Sequence, residues 1–172
     1  KERAKSRWAQ LEAVVGAEPR IKQITEDLIK HFETRTKTQP GKAMIVCMSR
    51  EICVKFYEAL RKLKPELHDD ELSKGQMKVV MTASASDPRD FQPHHTNRLQ
   101  KKDLENRFKD PFDPMKIVIV RDMWLTGFDA PCLTTMYVDK PMQGANLAQA
   151  IARVNRVFGD KPGGLVVDYI GI

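Results

Sequence analysis

Gln149, Arg153 and Arg156 have the residue types and the spacing for phosphate chemistry. They fall in the run Gln149-Ala150-Ile151-Ala152-Arg153-Val154-Asn155-Arg156. At about 100° per residue, a helix projects these three side chains within about 60° of one another. Two guanidinium forks one turn apart suit a polyphosphate, because arginine offers fixed donors and never deprotonates. Leu147, Ile151, Val154 and Phe158 fall on the other side of a helix expected from Asn146 to Val157, and they should face the core. By spacing alone, the comb could equally be a solvated helix face, with Gln149 closing a capping box on Asn146.

A second candidate lies upstream, in Leu125-Thr126-Gly127-Phe128-Asp129-Ala130-Pro131, which follows the apolar run Ile117-Val118-Ile119-Val120. Gly127 permits a positive φ or a close backbone approach, and Thr126 and Asp129 supply short polar groups. A loop of this kind at the carboxyl end of a strand can hold a ribose or a phosphate; the plainer reading is a turn leading into Pro131. No phosphate-loop pattern is present, since Gly41-Lys42 precedes a strand instead of following one. No acidic box follows an apolar run to hold magnesium. His94-His95 sits in a polar loop without further ligand partners, so no metal site is expected. His31 and His68 are expected at the surface, and Trp124 in packing.

The elements that must position these residues alternate along the chain. Helical patterns run from Lys1 to Val15 (Trp8, Leu11 and Val15 inward) and from Pro19 through Ile21, Ile24, Leu28 and Phe32. A buried strand is expected over 43–48, then a helix capped by Ser49 with Ile52, Phe56, Leu60 and Leu63 inward. A strand over 78–81, a polar loop over 82–96 and a helix over 97–109 follow. Strands at 117–120, 135–138 and 165–167 complete the pattern. Apolar strands alternating with amphipathic helices predict an α/β domain with a mostly parallel, five- or six-stranded sheet flanked by helices. Functional loops then belong at the carboxyl ends of the strands.

Composition sets the outer bounds. The chain has 172 residues, 41% hydrophobic and 30% charged, as in a globular domain. No run approaches a membrane span and no signal region follows the N-terminus, so a cytoplasmic protein without membrane contact is expected. Cys47, Cys53 and Cys132 lack metal-ligand spacing and read as reduced thiols. The first residue, Lys1, suggests an excised fragment. Residues 1–64 carry 15 basic and 8 acidic side chains, a net of +7, while residues 65–172 carry 14 and 15. That asymmetry suits either a polyanion partner or ordinary solvated helix faces.

Taken together, the motifs resemble a known family. Thr126-Gly127-Phe128-Asp129-Ala130-Pro131 is similar to motif V of superfamily 2 helicases, and Gln149-x-x-x-Arg153-x-x-Arg156 to their motif VI. The segment Ala43 to Leu60 resembles the motif IV region. The wording of residues 120–131 and 149–158 resembles the motor (R) subunit of type I restriction endonucleases, and the resemblance covers roughly residues 20 to 170. Ala150 and Ala152 stand where the common motif VI has arginine and glycine.

The resemblance implies a RecA-like domain over 19–172, the second lobe of a two-lobed motor, preceded by a helical extension over 1–18. It implies ATP and Mg2+, held mainly by a first lobe outside this sequence. Arg153 and Arg156 become catalytic arginine fingers, and Gly127, Asp129 and Gln149 line the nucleotide site. Thr126, Ser49 and Arg50 face nucleic acid. Implied partners are double-stranded DNA, the first lobe and nuclease domain of the same subunit, and modification and specificity subunits. The alternatives are a non-catalytic RecA-like binding module and a lobe of another superfamily 2 helicase.

Overall fold

The computed structural model describes residues 1–156 and 163–171. Its strands are β1 (Lys42–Cys47), β2 (Met77–Val80), β3 (Ile117–Val120), β4 (Leu133–Asp139) and β5 (Leu165–Asp168). They form one sheet in the order β2-β3-β1-β4-β5, and every pairing is parallel. The helices are α1 (Glu2–Val15), α2 (Glu18–Thr38), α3 (Arg50–Leu63), α4 (Arg98–Lys109) and α5 (Gly144–Val154). The expected mostly parallel sheet is present, with β4 extending two residues before and one after the apolar run that announced it.

Burial explains why these strands read as continuous apolar runs. Every residue of β1, β2, β3 and β4 is buried, because helices cover both faces of the sheet. Side chains alternate between two cores. On one face Ile45, Ile119 and Tyr137 pack with Leu28 of α2 and with Phe56 and Leu60 of α3. On the other, Val46, Val118 and Met136 pack with Leu104 and Phe108 of α4 and with Ala150 and Val154 of α5.

Local sequence starts the helices where expected. Ser49 Oγ accepts the Ile52 N–H at 3.1 Å, and Pro19 occupies the first turn of α2. Asn97 and Gln100 form a reciprocal capping box. At the amino edge of the sheet, buried Lys42 donates to the carbonyls of Arg107 and Asp110. Arg107 in turn donates to the carbonyls of Leu72, Lys74 and Gly75. The three cysteines are buried, and burial pushes the Cys47 thiol up.

Some expectations fail for identifiable reasons. Trp8, expected inward, is 39% exposed; only Val15 of α1 is buried, with Leu11 partly so. α5 begins at Gly144 with Gln143 as its cap residue, so no capping box joins Asn146 and Gln149. Ile151, expected in the core, is 41% exposed, while Ala150 and Val154 are buried. Small Ala150 lets α5 lie close to the sheet, which rotates the inward face toward Leu147, Ala150 and Val154. Gly164 serves the same close approach, since a Cβ there would collide with the Val154 carbonyl. Phe158 lies outside the described residues.

The 82–96 segment contains a 3-10 turn, Arg89–His94, that buries Phe91 and His94. His31 and His68 are also partly covered: His31 Nδ1 pairs with the Tyr137 hydroxyl at 2.7 Å, and His68 Nδ1 with that of Tyr57 at 2.6 Å.

The revised phase of α5 is testable. Ile151→Ala should change unfolding free energy by no more than about 0.5 kcal/mol. Ala150→Leu should cost about 1–3 kcal/mol through overpacking. Urea unfolding that ranks them the other way would restore the original phase. His94 supplies a second test. Burial, helped by Lys78 and His68, pushes its pKa down from 6.5 to about 4. The folded chain therefore keeps this ring neutral where the unfolded chain protonates it. Stability should fall as pH drops from 6.5 toward 4, by up to about 1.4 kcal/mol per unit from this group. His94→Gln should flatten that slope; equal slopes in both proteins would exclude His94 as its source.

Candidate functional site

The loop joining β3 to β4 leaves the carboxyl edge of the sheet and returns to the amino end, where β4 begins at Leu133, and two left-handed residues shape it. Gly127 has φ +65°, the freedom expected of it, while Trp124 has φ 68°, which an aromatic side chain seldom adopts. Trp124 stacks on Phe128 at 4.7 Å with planes 3° apart, and Phe108 of α4 lies beside both rings. Phe128 and Ala130 are buried, and between and around them Thr126, Gly127 and Asp129 are exposed. The apolar residues thus anchor the loop, and the polar ones face outward.

α5 runs from the carboxyl end of β4 back toward the amino end of β5 and stops at Val154, short of the expected Val157, so Arg153 lies in its last turn and Arg156 just beyond its end. Arg156 Nε and Nη2 donate to the two carboxylate oxygens of Asp129 at 2.9 and 2.6 Å. The two candidate motifs, 27 residues apart in sequence, therefore meet in a bidentate pair whose side chains are 56% and 51% exposed. Arg153 lies one turn earlier, and its Nε is buried with no hydrogen-bond partner among the described residues. Gln149 is exposed on the same side. The result is two cationic forks, one unmatched at Nε and one held only by an exposed carboxylate.

Ser49 and Arg50 follow β1 at the carboxyl edge and so lie apart from Asp129, which comes four residues before β4 begins. The Ser49 hydroxyl caps α3. Arg50 grips Asp87 with two hydrogen bonds of 2.7 Å, donates to the Thr82 carbonyl and lies over the Phe91 ring. Asp87 also accepts from Ser84 N–H and pairs with His95 Nε2 at 2.8 Å. Hydrogen bonds, those from Arg50 foremost, hold its carboxyl far below the usual carboxylate range. Asp87 thus closes the 82–96 loop onto the start of α3.

The sequence alone did not single out Asp87. Asp87-Pro88 signals a turn, but nothing in it names a partner 37 residues upstream. A similar link was equally hidden at β4. Asp139, 1% exposed, receives both Arg20 Nη1 and Nη2 at 2.9 and 2.7 Å. Arg20 also donates to the carbonyls of Val15 and Tyr169. Next along, Lys140 Nζ bonds Asp122 and the Arg121 carbonyl, tying the exit of β4 to the exit of β3. No cluster of three or more metal-ligating side chains occurs among the described residues. No described helix is long and apolar enough to cross a membrane.

Comparison with known proteins places this geometry in context. The family described as "Type I restriction enzyme subunit R domain 3" matches residues 89–171. The type I restriction enzyme HindI endonuclease subunit of Haemophilus influenzae is 53% identical over 164 residues, covering 94% of this chain and 16% of that protein. The chain thus spans only a small part of this curated relative. A fragment of a putative HsdR subunit of a type I restriction enzyme from Vibrio vulnificus YJ016 matches with a TM-score of 0.62 and 19% identity, over 88% of this chain and 28% of that one. The C-terminal part of the Fun30 ATPase domain gives 0.55 at 14% identity, over 83% and 39%. At such identities the structural matches speak for the fold, which is RecA-like. The sequence match to the HindI subunit goes further: this chain belongs to the type I restriction enzyme endonuclease (R) subunit family.

Proposed function

We propose that this chain is the second motor lobe of an ATP-dependent double-stranded DNA translocase within a type I restriction endonuclease R subunit. The observation that carries the reading is the pair of arginines at the end of α5: Arg153, whose buried Nε has no hydrogen-bond partner among the described residues, and Arg156 on an exposed carboxylate. A buried donor without an acceptor is unfavourable, and a phosphate oxygen would satisfy it. An exposed ion pair contributes only about 0–1 kcal/mol, so Arg156 can exchange Asp129 for a phosphate at little cost.

ATP, when bound, supplies the phosphoryl transfer that powers movement. Toward it, Arg153 and Arg156 act as fingers that stabilise charge on the transferring group. Gly127 and Asp129 border the nucleotide, and Gln149 couples it to the facing lobe. The donor set fits a phosphate but not a magnesium ion, so Mg2+ and the main phosphate cradle are assigned to the first lobe. Thr126, with Ser49 and Arg50 at the neighbouring strand end, faces the DNA backbone. The nuclease domain of the same subunit and the modification and specificity subunits complete the cytoplasmic complex. The closed Arg156–Asp129 pair also suits a second reading, a RecA-like module that binds without hydrolysis.

The two readings separate in the full-length R subunit. Arg153→Ala and Arg156→Ala should each lower DNA-stimulated ATP turnover by about 10³-fold or more while leaving the unfolding midpoint nearly unchanged. Near-normal turnover in both variants would sink the finger assignment and leave the binding module.

A further inference from the structure

The exposed face of α1 is untouched by this reading, although the charge asymmetry of the sequence points to it. Arg20 and Lys55 fix its last turn at the carboxyl edge. Arg20 donates to the Val15 carbonyl while gripping Asp139, and Lys55 Nζ donates to the Gly16 carbonyl at 3.1 Å. From that anchor, α1 runs toward the β4–α5 loop and leaves a groove of about 550 Å³ against Pro141. Arg3, Arg7, Trp8 and Leu11 line it, and among the described residues no acidic side chain does. Helical arithmetic places Arg3 and Arg7 on one side, about 6 Å apart along the axis. Like charges four residues apart repel, and neither arginine is ion-paired among the described residues. Trp8 presents a partly exposed indole beside them.

Resting on the translocase reading, we infer that this groove is an additional contact for duplex DNA: Arg3 and Arg7 bind backbone phosphates and Trp8 packs on the sugars between them. Charge decides the occupant. Two unpaired forks flanking an apolar floor with no carboxylate repel a basic partner and match a polyanion. Position supports the same occupant, because Pro141 follows Lys140 on the strand-end edge to which Thr126, Ser49 and Arg50 are assigned. The groove would lengthen that surface beyond β4, so that the duplex touches the lobe at both ends of the edge.

The test is a salt titration of duplex binding by the full-length R subunit, wild type against R3Q/R7Q, Trp8→Ala and Trp8→Phe. Each lost phosphate contact makes the slope of log Kobs against log salt shallower by about 0.9, so R3Q/R7Q should lose about 1.8, equally for every duplex sequence. Trp8→Ala should weaken binding at unchanged slope, and Trp8→Phe should restore it. Wild-type affinity and slope in R3Q/R7Q would overturn the groove while leaving the translocase reading intact. So would normal DNA binding coupled with failure to assemble with the other subunits, which would mark a protein-binding face. A wild-type subunit that binds no duplex would overturn both readings.

Discussion

Asp139 is a carboxylate buried at the end of a central strand, and the layout of the carboxyl edge depends on how it is satisfied. An ionised carboxyl in that position needs a charged partner with good geometry. Arg20 meets the need with both terminal nitrogens, which also donate to the Val15 and Tyr169 carbonyls. One guanidinium therefore fastens the end of α1, the start of α2 and the exit of β5 to the end of β4. Removing Arg20 alone would strand a buried charge, the costly way to break such a pair. With β4 fixed, the Lys140–Pro141 exit and the start of α5 take their positions.

Three arginines each make a bidentate contact with an aspartate, Arg20 and Arg50 at the carboxyl edge and Arg156 just beyond the end of α5, and their surroundings separate their roles. Arg20 binds a fully buried carboxylate and Arg50 one that is almost fully covered, so both act as fasteners. Arg156 binds a carboxylate about half in water, where screening leaves the pair little net stability. Only the last is readily exchangeable. On this physics Arg50 holds the 82–96 loop through Asp87, and Arg156 is the fork best placed to change partners.

The loop between β3 and β4 follows a related logic. A left-handed tryptophan is unfavourable locally, and such strain persists where packing over-determines it. The parallel stack of Trp124 on Phe128, with Phe108 alongside, supplies that packing. The rings hold the turn that leaves Thr126 and Asp129 in solvent.

Much of this was legible in the residues themselves. The apolar runs at 43–47, 117–120 and 135–138 announced buried parallel strands, because a strand covered on both faces cannot afford alternation. Ser49 announced a helix start through a local hydrogen bond. The Thr126–Pro131 and Gln149–Arg156 motifs were visible because their chemistry depends on short, fixed spacings. The facing of Ile151, the capping of α5 and the exposure of Trp8 were not legible, since each depends on how closely one element approaches another. Nor were the pairings Arg156–Asp129, Arg50–Asp87 and Arg20–Asp139. Local sequence determined which elements form and which side chains are candidates for phosphate, since those properties lie within one turn or one strand. Tertiary structure alone decided which charges meet and which remain available, because desolvation and distance are set by segments far apart in the chain.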